Sequence, residues 1–374
     1  MREIAKSLNQ EAEQNYSWSH LPQNVLSLML YYLSPKGRCA FKGTCKSWHN
    51  AELLMPPSPN SPISTCHYYP SLMSTFCYMS KYKFYHPSND EFFYASAPGL
   101  EDTKVRCARF GWLLMSRPNL SLFFYNPITR QNIELPHSST VFTAMCFTSP
   151  PTCPDCQVFG ISYELEMGVI RRGEKSWEVQ DHMMANGMLK VSTHSPLYYN
   201  GAFYCLDLDG NVAVYHPLDD EQTRFKLHYT NLFKRVEGMQ QEEREGIQQS
   251  FLLEDNGKLL GVFNRCDRGI TVQCLDLASW EWRPVLDLAN KCLFVSHSAS
   301  FVMSDPTTKG IGNRVYLPKF YNRVGVFYCL DAMKYFSITR NFCSKTSYDL
   351  DDGGEYAAWI KPNYDVVPEA QLHW

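Results

Sequence analysis

Two hydrophobic rhythms divide this chain. Between Leu21 and Trp48 apolar residues recur at helical spacing, with Leu26, Met29, Leu30 and Leu33 at i, i+3, i+4 and i+7, one stripe along a helix face. Pro22 precedes the stripe and suits a first helical turn, where its missing N–H costs nothing. Ser34 and Pro35 supply a second start, as N-cap and first-turn residue. Phe41, Cys45 and Trp48 continue the apolar spacing, and Gly43 breaks it, because an interior glycine costs about 1 kcal/mol relative to alanine. The pattern predicts three short helices followed by a change of period.

Beyond Ser64 the rhythm is that of strands. Six strand–turn–strand units of one style follow, "YKFYHPSNDEFFYA", "LFFYNPITRQNIEL", "GVIRRGEKSWEV", "VAVYHPLDDEQTRFKL", "TVQCLDLASWEWRPV" and "GVFYCLDAMKYFSI". Each joins an apolar or aromatic strand to a second through a polar turn. The turn markers Pro87, Pro127, Gly173, Pro217, Asp276 and Asp331 stand 40, 46, 44, 59 and 55 residues apart. Inner strands precede several units, as in "NGAFYCLD" at Asn200, "NGKLLGVF" at Asn256 and "GNRVYLP" at Gly312. The longest interval holds the polar run Glu237 to Ser250, expected as an inserted loop or short surface helix. A mean repeat of about 49 residues accommodates four strands and their turns. Such units arranged radially form a β-propeller, which leaves only short, protected edges. A two-sheet sandwich would need fewer, longer units. Six blades are expected, with five to eight compatible with the spacing.

The segment between the two rhythms carries Pro56, Pro57, Pro59 and Pro62 and reads as a semi-rigid spacer. Burying each leucine-sized side chain gains roughly 1.5–3 kcal/mol, so the apolar stripe needs a partner. A spacer is a poor way to pack a cap against its own domain, which leaves a second protein as the expected partner. The organisation is then a polar N-terminal tail (1–15), a helical block (16–54), a Pro-rich linker (55–64), a propeller (65–361) and a C-terminal tail (362–374). The fold class is mainly β, with a small three-helix module ahead of the propeller.

Leu21-Pro22, the stripe through Leu33, Phe41 and "CKSW" at Cys45 to Trp48 resemble the F-box, over about Trp18 to Leu54. Gln23 and Asn24 stand where acidic residues are common, Met29 stands for a usual isoleucine, and Gly43 is atypical. The resemblance implies docking on the Skp-type adaptor of SCF ubiquitin ligases, and through it on cullin, by a substrate receptor. Leu21, Pro22, Leu26, Met29, Leu30, Leu33 and Trp48 are then candidates either for touching the adaptor or for holding the docking surface. "YNPITRQNIELP", "GEKSWEV" and "GNRVYLPKFYNRVGVFYCLD" are similar to the kelch-like, KIB-type propeller of many plant F-box proteins, over about Ser64 to Lys361. That resemblance implies a propeller that binds a target protein. Two other readings stay open: a scaffold that acts outside a ligase, and a propeller enzyme with ligands or acids converging on the channel.

Composition narrows the chemistry. Aromatic residues make up 14% of the 374, with Tyr 23, Phe 22 and Trp 8, in keeping with strands. The net charge of −3, with no block of like charges, argues against a nucleic-acid surface. No apolar run approaches the roughly 20 residues that span a bilayer, and the polar N-terminus lacks a signal-peptide core. Fourteen cysteines without an export signal are expected as free thiols in the cytosol or nucleus. Cys153 and Cys156 have metal-type spacing but lack a second pair to complete four ligands, so they are expected as loop cysteines. No phosphate loop, nucleophile elbow or metal-binding helix motif occurs. Asp207, Asp209, Asp219 and Asp220 read as turn residues bonded to their own backbone. His86 and His216, both in "YHP", mark a repeat position. No cofactor, metal or catalytic residue is expected.

Overall fold

Six sheets account for the six repeated units: five units form the outer hairpin of their sheet, and the sixth forms a hairpin with one short strand beyond it. The computed structural model describes residues 18, 21–22, 24–26, 29, 41, 43–48, 70–75, 81–87, 90–96, 99–181, 194–220, 223–230, 232, 247–265, 269–304, 312–345, 350–352, 357–361, 363 and 365–374. The chain divides into two compact units, Met1–Tyr69 and Pro70–Trp374.

The second unit is a six-bladed β-propeller. Its first blade contains β1 (Ser71–Thr75), β2 (Lys81–His86) and β3 (Glu91–Ser96). The second contains β4 (Lys104–Arg109), β5 (Trp112–Ser116), β6 (Leu122–Tyr125) and β7 (Asn132–Glu134). The third runs β8 (Ala144–Phe147), β9 (Gln157–Ile161), β10 (Glu166–Arg171) and β11 (Glu178–Asp181). The fourth runs β12 (Leu197–Tyr199), β13 (Ala202–Leu206), β14 (Val212–Tyr215) and β15 (Phe225–His228). The fifth runs β16 (Ile247–Asp255), β17 (Lys258–Arg265), β18 (Gly269–Asp276) and β19 (Glu281–Pro284). The sixth is built from β20 (Lys291–Ser296), β21 (Ala299–Ser304), β22 (Arg314–Tyr321), β23 (Val324–Cys329), β24 (Lys334–Ser337) and β25 (Cys343–Ser344), with β26 (Asp351–Asp352) paired to β22. In the sixth blade β20 lies parallel to β22 and separates it from β21.

The ring closes through β27 (Ala358–Ile360), which pairs antiparallel with β1 and completes the first blade on its inner side. The innermost strands β27, β4, β8, β12, β16 and β21 touch one another in a closed circle. Trp359 anchors the closure: fully buried, it donates from Nε1 to the Val295 carbonyl at 3.1 Å, and Ser296 Oγ accepts its backbone N–H. Tyr85 seals the outer part of the same junction. Its hydroxyl donates to Asp90 Oδ1 at 2.8 Å and accepts the Gly325 N–H at 3.0 Å, and its ring fills the space a Cβ on Gly325 would occupy. Between blades three and four, Phe159 and Phe203 stack with ring centroids 4.5 Å apart.

Two stretches differ from their sequence reading. Ile247 to Ser250, expected inside a polar loop or surface helix, begin β16, because the long partner strand β17 satisfies their backbone groups. Residues 237–246 of that run lie outside the described residues. The end of the chain, read as a tail, packs on the propeller. Gln131 exchanges two hydrogen bonds with the Val367 backbone, Arg172 donates to the Gln371 carbonyl, and the Trp374 ring sits 5.7 Å from that of Phe124.

In the first unit, helical backbone is described at 24–26, 29, 41 and 46–48. Gly43 and Thr44 form the expected break, with the Thr44 N–H bonded to the Phe41 carbonyl at 3.1 Å. The described residues do not establish a three-helix module. Ser34, Pro35 and the linker 55–64 lie outside them.

Candidate functional site

Two surfaces merit description. On the first unit, the Pro22 carbonyl accepts the N–H groups of Val25 and Leu26, as in a first helical turn. Leu26, Phe41 and Trp48 form a small buried cluster against which Leu21, Met29 and Cys45 pack. The Phe41 and Trp48 rings lie 4.5 Å apart, and Trp48 Nε1 donates to the Trp18 carbonyl at 2.8 Å. Of the seven candidates, Leu26 and Trp48 are thus interior residues that hold this unit's shape. Leu21 and Met29 are half-buried and Pro22 is exposed, so these three reach its surface. Leu30 and Leu33 lie outside the described residues.

The second surface is a cavity of about 460 Å³ in the propeller. Successive turns of an antiparallel meander alternate between faces, so each blade's second turn and its link to the next blade share one face. The cavity opens there, between the link that precedes β8 and the turn joining β9 to β10. Phe142 forms one wall. Gly160 and Gly168 sit opposite each other across β9 and β10, and a Cβ on either would lie 2.4–2.5 Å from the Phe142 ring. The paired glycines make the recess that sets this wall in place. The facing wall is the turn carrying Glu164 and, just beyond it, Glu166. Ser162 Oγ accepts both of their backbone N–H groups, at 3.2 and 3.1 Å, and Leu165, in the left-handed region at φ 64°, buries its side chain in the core.

Arg106 and His297 reach the cavity from the propeller axis. His297 lies in the β20–β21 turn, which extends to the inner strand of blade two and to the segment ahead of blade four. The Ser298 carbonyl accepts the Ala108 N–H at 2.8 Å, and the His297 carbonyl accepts the Ser195 N–H at 3.1 Å. Ser195 Oγ in turn donates to the Arg106 carbonyl at 3.2 Å. The His194 ring packs 4.5 Å from Phe251 and 5.3 Å from His297. Burial, with His297 alongside, pushes its imidazole well below the ordinary pKa and keeps it neutral. This hairpin therefore joins non-adjacent blades across the channel.

Nearby thiols are held protonated by burial. It pushes Cys107 up to about 11 and Cys205 up to about 12, which works against thiolate chemistry. Cys156, of the Cys153–Cys156 pair, is likewise pushed to about 11 and donates to the Ser149 carbonyl. Among the described residues no three His, Cys, Asp or Glu side chains form a group suited to a metal ion. The cavity combines fixed charge, hydroxyls and an exposed ring, an arrangement that can grip a polypeptide segment. Sequence reasoning missed it. Its only local trace is the serine-initiated turn between Gly160 and Gly168, and the residues that complete it come from blades two and six.

The sequence profile described as KIB1-4 beta-propeller matches residues 84–334. An F-box/kelch-repeat protein of Arabidopsis thaliana is 27% identical over 369 residues, covering 95% of this chain and 97% of its own. A second Arabidopsis protein, named an F-box protein, is 26% identical over 336 residues, covering 86% and 84%. A third, also named an F-box protein, is 24% identical over 317 residues, covering 83% and 78%.

Proposed function

Because the chain belongs to the KIB1-4 β-propeller family, we propose that it is the substrate-recognition subunit of an SCF-type ubiquitin ligase. The first unit acts as a three-helix F-box that docks on the Skp-type adaptor, and through it on cullin, while the propeller holds a target protein. One observation carries this reading: a Leu-Pro to "CKSW" helical unit and a family propeller share one chain, and a relative aligned over 95% of that chain is named an F-box/kelch-repeat protein. The subunit makes and breaks no bonds itself. It raises the effective concentration of target lysines near the loaded conjugating enzyme. Leu21, Pro22, Met29, Leu30 and Leu33 contribute the docking surface, and Leu26 and Trp48 support it from within. Free thiols, the state of every described cysteine, fit work in the cytosol or nucleus.

The test is Leu30→Asp in the full chain, with titration against recombinant Skp-type adaptor and thermal unfolding of the propeller measured side by side. Adaptor binding is expected to fall by at least about tenfold with the propeller transition unchanged. Joint loss of both, or unchanged binding, would sink the proposal.

A further inference from the structure

We propose that the cavity beside Glu164 and Glu166 is where the propeller seats its target, and that it selects a basic side chain on an exposed polypeptide segment. This rests on the receptor reading given above and names the site and chemistry it needs.

The cavity carries carboxylate charge that nothing among the described residues uses. Arg106 donates from Nε to Ser116 Oγ at 2.9 Å within its own blade, and His297 packs against His194, so the cation at the axial end of the cavity is held apart by its own hydrogen bond rather than by the two carboxylates. Among the described residues the Glu164 and Glu166 carboxylates have no hydrogen bond or ion pair. Both line the same cavity. The turn that presents them is fixed in advance by the two bonds to Ser162 Oγ and by the buried Leu165 side chain, so little ordering accompanies binding.

A second feature points the same way. Tyr163, between Ser162 and Glu164, is 67% exposed and lines the cavity, as does Val141 from the opposite side at 55%. An aromatic ring next to two carboxylates suits a guanidinium or ammonium, since the ring face attracts the cation while the carboxylates take its N–H groups. The aliphatic stem of a lysine or arginine would lie against Val141 and Tyr163. An acidic segment would meet the Glu164–Glu166 wall with like charge.

The full-length chain is panned against a random peptide library displayed on phage. An enriched peptide is then titrated by calorimetry against wild type, the Glu164→Gln/Glu166→Gln double variant, Tyr163→Ala and Leu218→Asp. Leu218 is exposed on the opposite propeller face, in the turn between β14 and β15. Enriched peptides sharing lysine or arginine are expected. Their binding should weaken about tenfold in the double variant, less in Tyr163→Ala, and not at all in Leu218→Asp, with all melting temperatures unchanged. Enrichment of acidic peptides, absence of enrichment, or binding indifferent to the glutamine substitutions would overturn the proposal. Peptides that respond only to Leu218→Asp would move the target site to the other face and leave the receptor reading standing. Loss of adaptor binding by the unaltered chain would count against that reading alone.

Discussion

Asp207 shows what a single side chain contributes beyond its place in a turn. Its carboxylate accepts the backbone N–H of Asn211 at 2.7 Å and the Asn211 side-chain amide at 3.0 Å, the local bonding expected of an aspartate at this position. Its depth was not legible, because Ser250, on the next blade, closes over it by donating to its carbonyl at 3.1 Å. Burial outweighs the Asn211 bonds and pushes the carboxyl up from the ordinary 3.8 to about 6. A pKa raised in the folded state adds stability that is complete below the unfolded value and is lost as pH climbs through the folded one. The melting temperature of the wild type, compared with that of Asp207→Asn, should therefore decline between about pH 4 and about pH 7. A difference that stays flat across that window would refute the assignment. The same limit on legibility applies to the cavity, where the Gly160–Gly168 pair becomes meaningful only once Phe142 is seen lying against it.

At the scale of elements, outer hairpins were readable because their instructions are local. Asn126 Oδ1 accepts the N–H groups of Ile128 and Thr129 at 2.9 and 3.1 Å, and Arg130 then takes a left-handed φ of 61°. Asp276 Oδ1 repeats the device with the Ala278 N–H at 3.0 Å, followed by Trp280 at φ 55°. The β20–β21 hairpin, β27 and the docked chain end carry no such internal signature, since distant partners define them. Residues 365–374 form a strap across blades two and three, held by Gln131 and Arg172. Gln131→Ala removes both bonds to Val367 and should cost about 1–2 kcal/mol. Amide exchange should accelerate selectively over residues 365–374. Unaltered exchange there would mean that packing of Leu372 and Trp374 suffices.

For the molecule as a whole, blade number followed from the repeat length, whereas the means of closure did not. A three-residue strand, "AWI", has no period to recognise, yet it completes the first blade and carries Trp359 into the junction with the sixth. Trp359→Ala should cost about 3–5 kcal/mol. If the ring is one cooperative body, protection from amide exchange should fall together in blades one and six, and the urea midpoint should drop with a single transition. A loss confined to residues 358–360 would show that the blades hold without their clasp. The helical unit was the reverse case: its Leu-Pro and "CKSW" signature was legible at once, although Leu30 and Leu33 lie outside the described residues.

Closure by β27 also fixes an order of events during synthesis. Every strand of blades two to six has left the ribosome before the one that must zip against β1, so β1 waits with an open edge until residues 358–360 have emerged. A message cut short by a premature stop upstream of codon 358 would yield a chain unable to shield that edge, fit for chaperones and proteases rather than for partial service.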